Sequence, residues 1–138
     1  MVDSEIENEA WLGANDLFGP AGAAIQGMRL RIENQVVLSV DGLLAPLQEA
    51  RRLFEQRKFR QASTRADQVH RDLETRIEQW QRAAEARLEA LRRSRNLAKI
   101  QQLKIEMADV KRQSRGAYHL MSTLRSALEV IRAQNPAK

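Results

Sequence analysis

Apolar side chains recur along most of the chain at helical spacing, in three stripes. The first runs Ile25, Met28, Ile32, Val36, Val40, Leu43, Leu47, Ala50 and Phe54, in steps of three or four residues that keep all of them on one helix face. It predicts one amphipathic helix over about residues 22–57. Gly42 and Pro46 fall inside it, and a proline in a helix interior removes a backbone hydrogen bond and meets the carbonyl four residues back. A kink or short break is therefore expected near 41–46, with Asp41 available to cap the resumed helix.

The second stripe, Phe59, Ala62, Ala66, Val69, Leu73, Ile77, Trp80, Ala84, Leu88 and Leu91, predicts a helix over 60–94 that folds back after a turn around Arg57–Arg60. The third is nearly a strict heptad: Ile100, Leu103, Met107, Val110, Ser114, Ala117, Met121, Leu124, Leu128 and Ile131. It predicts a helix over 97–134. Only Ser114 in it is polar, and beside Gly116 and Ala117 it makes a thin layer that a second helix can approach closely.

The phase slips between these stripes, across Arg92-Arg93-Ser94-Arg95-Asn96, and two readings fit. A tight turn with Asn96 as cap gives helices of about 36, 35 and 38 residues, each roughly 55 Å long, and matched rods favour an antiparallel three-helix bundle. A stutter in one uninterrupted helix gives instead a helical hairpin with one very long projecting helix. Both are all-α with coiled-coil packing. The composition agrees: residues 47–135 hold no proline and one glycine, and aromatic residues make up 4% of the chain.

The 138 residues suit one domain. Absence of cysteine excludes disulfides, thiolate nucleophiles and Cys-ligated metal sites, and fits a cytoplasmic location. No apolar run is long enough to span a bilayer, and the start of the chain is acidic where a secretory signal is basic, so no membrane association is expected.

Charge is unevenly distributed. Residues 1–20 carry Asp3, Glu5, Glu7, Glu9 and Asp16 and no Lys or Arg, whereas residues 51–115 carry 18 basic and 9 acidic side chains. With Gly13, Gly19 and Pro20 the acidic head reads as a mobile tail, and residues 21–138 as the helical domain. The head nevertheless contains Trp11, Leu12, Leu17 and Phe18, an apolar segment of the kind that docks into a partner's groove or folds back to cap its own bundle.

Catalytic and metal chemistry find little support. Asp67, His70, Glu74 and Glu78 share one helix face, but a bundle metal site needs matching ligands on another helix, and His119 has no acid three residues before it. A solvated face of ion pairs explains the same residues. No serine sits in a glycine-rich elbow and no glycine loop cradles phosphate, so no enzyme activity, cofactor, metal or small-molecule substrate is expected.

Ala50, Leu53, Phe54, Arg57, Phe59, Ala62 and Ala66 resemble the turn of one tetratricopeptide-type hairpin, with arginine where that hairpin carries glycine and no second copy following. In size and layout the chain is also similar to small helical export chaperones of the flagellar and type III secretion kind. No functional residue carries over from either resemblance.

The reading that follows is a non-enzymatic helical interaction module: an adaptor, chaperone or assembly subunit. Its expected seam is Met107, Val110, Met121, Leu124 and Leu128, closing on a second copy, as a dimer, or on another helical protein. The segment Trp11, Leu12, Leu17 and Phe18 is a second expected contact. The alternative is a basic helical nucleic-acid-binding protein that contacts the phosphate backbone through Arg92, Arg95 and Lys99, which share one helical face.

Overall fold

The structure is a computed structural model that describes the backbone of residues 2–136 and side chains from residue 9 onward. The described residues form four α-helices and one β-hairpin: α1 (Val2–Gly27), β1 (Leu30–Ile32), β2 (Gln35–Leu38), α2 (Leu44–Glu55), α3 (Phe59–Arg93) and α4 (Leu97–Gln134), with a 3-10 turn at Asp41–Leu43. Neighbouring helices pack in a ring, α1 on α2, α2 on α3, α3 on α4 and α4 on α1. Short turns make α2, α3 and α4 successively antiparallel, and α1 runs antiparallel to α2, with Trp11 beside Phe54 and Gly22 beside Leu47, so the fold is a helical bundle of the up-down-up-down kind.

Two stripes land as the sequence indicates. Every member of the α4 stripe from Ile100 to Ile131 is buried, Ser114 included, and so is every member of the α3 stripe except the half-buried Ile77. The slip between them is a turn. Arg95 takes a left-handed backbone (φ 56°), the amides of Arg95 and Asn96 bond back to the carbonyls of Arg92 and Leu91, and the Asn96 side chain accepts the amide of Lys99 at 3.2 Å. The α2–α3 turn repeats this arrangement with Arg57 (φ 62°), whose amide and that of Lys58 reach Phe54 and Leu53.

Two expectations are corrected. The head is not a tail: α1 takes in residues 2–20, because Trp11, Ala14, Phe18, Ala21 and Ile25 form their own stripe in steps of 3, 4, 3 and 4. The helix expected over 22–57 is two antiparallel helices joined by a β-hairpin, so the bundle has a fourth rod where three were expected. Val36 and Val40 of the apparent stripe belong to β2 and to the segment after it. Pro46 causes no kink. It is the third residue of α2, where its missing N–H is one of those a helix start leaves unpaired. Asp41 opens the 3-10 turn and does not cap α2.

The hairpin lies against α3 and α4. Glu33 and Asn34 form its turn with positive φ (52° and 67°), as a two-residue type I′ connection requires. Buried Trp80 donates its indole N–H to the Arg31 carbonyl at 2.8 Å, and Arg76 donates to the Ser39 carbonyl at 2.5 Å. At the tip, the Glu106 carboxylate accepts the amides of Glu33 and Asn34, while the Glu33 carboxylate pairs with Arg87. Beyond Arg87 and Glu106 the α3–α4 pair continues to its turn, an arm of about 9 Å on the α3 side at helical rise.

Candidate functional site

The expected seam does not face outward. Met107, Val110, Met121, Leu124 and Leu128 are all buried in the chain's own core, because α1 and α3 close on the α4 stripe. An apolar stripe alone does not say which rod will cover it, and here the covering rod is the recruited head helix. Of the head residues, the Trp11 ring stacks on Phe54 at 5.4 Å between centroids and 15° between planes, and Phe18 lies 5.8 Å from the same ring. Leu17 is half-buried, and Leu12 alone of the four is exposed. Folding back onto the bundle is thus what this segment does.

Arg92, Arg95 and Lys99 all sit exposed around the α3–α4 turn, together with Arg93, which reaches Glu89 at 3.8 Å. Leu97, at the first position of α4, is 75% exposed in their midst, and Ile105 two turns further on is 67% exposed. An aliphatic side chain held in water on a rigid helix gains by being covered, at roughly 25 cal/mol for each Å² removed from solvent. Between the arm and the hairpin runs an open groove of about 790 Å³, lined by Arg29, Arg31 and Glu33 on one side and by Lys99, Ile105 and Asp109 on the other.

A second cleft, of about 390 Å³, is lined by α3 and α4 alone. Ile77 and Tyr118 give it apolar walls over a floor of buried Trp80 and Ser114, and the enclosed Ser114 hydroxyl has no hydrogen-bond partner. Tyr118, 38% exposed, also lies over His70, with ring centroids 4.6 Å apart. His70 is 5% exposed and neither of its ring nitrogens has a partner. Burial pushes its pKa below the ordinary histidine value; the Arg125 charge pushes the same way, against Glu74 and Asp67.

No known protein family, characterised protein or solved structure matches this chain. Its site must be read from geometry. Among the described residues no three of His, Asp and Glu gather as a metal site would require, and no helix is long and apolar enough to cross a membrane. Asp67 bonds Arg71 at 2.7 Å and Arg125 at 3.1 Å, so part of the acidic face around His70 is engaged in ion pairs.

Tyr118, Leu97 and Ile105 lie off the stripes and carry no motif, so the hydrophobic pattern does not single them out. Their signal is their spacing: each is a large apolar residue out of phase with the core positions of its own helix.

Proposed function

We propose that the chain is a non-enzymatic helical interaction module that presents the α3–α4 arm to a protein partner. The observation that carries this reading is the pair of exposed aliphatic residues Leu97 and Ile105 on a rigid helix whose core-facing stripe is already closed within the chain. An adaptor or assembly subunit needs such a surface: fixed in shape by its own core, with apolar side chains left for a second molecule. The partner is another helical chain or a second copy meeting the arm. Absence of cysteine supports a reducing, cytoplasmic setting.

The test is gel filtration of the tagged chain in native cell extract. The wild type is expected in an assembly larger than its own 15.8 kDa, and a Leu97→Lys/Ile105→Lys double variant at the free mass with an unchanged thermal melt. A variant that stays in the assembly, or a wild type that runs alone, would overturn the reading.

One observation favours a second reading. Arg92, Arg95 and Lys99 are exposed together at the arm's end, and such a cluster attracts a phosphate backbone by releasing counterions. Filter binding of duplex and single-stranded probes at two salt concentrations checks it. Binding that weakens steeply with salt and disappears in the Arg92→Ala/Arg95→Ala/Lys99→Ala variant supports it, and salt-independent or unchanged binding contradicts it.

A further inference from the structure

The rim of the α3–α4 cleft carries four charged side chains in an ordered arrangement. Glu74 and Glu78 stand on the α3 wall, Lys111 and Arg115 on the α4 wall. Each pair is spaced i,i+4, one helical turn, so two like charges follow one another along each wall. Eight ion pairs form elsewhere among the described residues, yet none of these four side chains enters one. The apolar residues between the walls, with Ser114, keep the two signs apart. Trp80 and Ser114, 0% and 4% exposed, form the buried floor beneath them.

We propose that this cleft is the docking groove for one amphipathic helix of a partner protein, with an apolar stripe flanked by basic residues along one edge and acidic residues along the other. The groove between two antiparallel helices is where a third rod packs in a bundle, and i,i+4 spacing on both walls matches the turn-by-turn repeat of a helix laid between them. Its basic edge meets Glu74 and Glu78 and its acidic edge meets Lys111 and Arg115. A small zwitterion could engage one charge on each wall, whereas a helix engages two on each. Ile77 and Tyr118, the lining apolar residues with accessible surface, receive the apolar stripe above the buried Trp80. Helix-in-groove recognition takes its affinity from the stripe and its choice of partner from the edges. This assignment rests on reading the chain as an interaction module, but it uses a cleft separate from Leu97 and Ile105.

The experiment is fluorescence anisotropy with three synthetic amphipathic helices that share one apolar stripe and differ in their edges: one basic and one acidic edge, both basic, or both acidic. The mixed-edge helix is expected to bind the full-length chain at least about tenfold more tightly than either uniform one, a gap of about 1.4 kcal/mol. A Glu74→Lys/Glu78→Lys variant, changed only at exposed positions, is expected to move the preference to the helix with two acidic edges. Equal binding of all three, no binding of any, or an unmoved preference would overturn the proposal. A concentration-dependent dimer of the chain that Tyr118→Lys abolishes would give the groove to a second copy and overturn it as well. Loss of the peptide preference while the Leu97→Lys/Ile105→Lys variant still leaves its native assembly defeats this inference alone.

Discussion

Glu106 on α4 holds the turn of the β-hairpin by its backbone: one carboxylate oxygen is 2.5 Å from the Glu33 amide nitrogen and the other 2.8 Å from that of Asn34. Both turn residues have positive φ, which costs a residue with a Cβ, and Glu33 stands where glycine, asparagine or aspartate is usual. Two charge-assisted hydrogen bonds offset that cost.

Glu106→Gln keeps the shape and removes the charge and one acceptor. It is expected to speed amide hydrogen exchange at Glu33 and Asn34 and to lower unfolding stability by about 1 kcal/mol. Unchanged exchange at both amides would contradict this role.

Arg57 and Arg95 occupy the left-handed position that glycine fills most readily after a helix. Arg57→Gly and Arg95→Gly should each raise stability by about 0.5 kcal/mol, the relief of left-handed strain exceeding glycine's extra unfolded-state freedom. Urea midpoints measure this, and a fall in either would contradict it. Nothing in the structure explains why arginine stands at both positions.

Much of this was legible beforehand and some was not. The α3 and α4 stripes fixed two rods and the Asn96 cap, because a long run without proline allows one periodicity only. The hairpin was hidden because Met28, Ile32, Val36 and Val40, spaced four apart, satisfy a helix, whereas in the hairpin Val36 pairs with Arg31 on the face opposite Ile32 and is 52% exposed. The head helix was hidden because two of its five core residues are Ala14 and Ala21, too small to stand out among Gly13, Gly19 and Pro20. The clefts depend on which rod lies beside which, and the basic and acidic walls became neighbours only when α3 and α4 paired.

Val110 and Leu124 separate an internal core from an outward seam. Val110→Asp or Leu124→Asp places an unpaired carboxylate among apolar side chains and should cost on the order of 4 kcal/mol or more, abolishing the helical circular dichroism signal of the chain. A variant that stays helical but sediments at a different mass would return these residues to an intermolecular seam.

His70 gives a pH dependence of known sign. Its native pKa lies below the ordinary 6.5, so below that pH the unfolded chain takes up a proton that the folded chain resists. Stability from this residue is complete above about pH 6.5 and is lost as pH falls toward the native pKa. The groups facing it include Arg125 and Arg71, which disfavour the charged ring, and Glu74 and Asp67, which favour it, with the Tyr118 ring tilted against it at 42°. The melting temperature should fall between about pH 7.5 and 5.5, and fall less in His70→Phe. Equal slopes in both proteins would contradict the assignment.

Site-directed photocrosslinking in native extract addresses the presented surface most directly, with the crosslinker placed in turn at Leu97, Ile105, Arg51 and Gln61, all exposed. Discrete adducts are expected from Leu97 and Ile105 on the arm and none from Arg51 and Gln61 on the bundle body. Adducts from the body positions alone, or from none of the four, would contradict it.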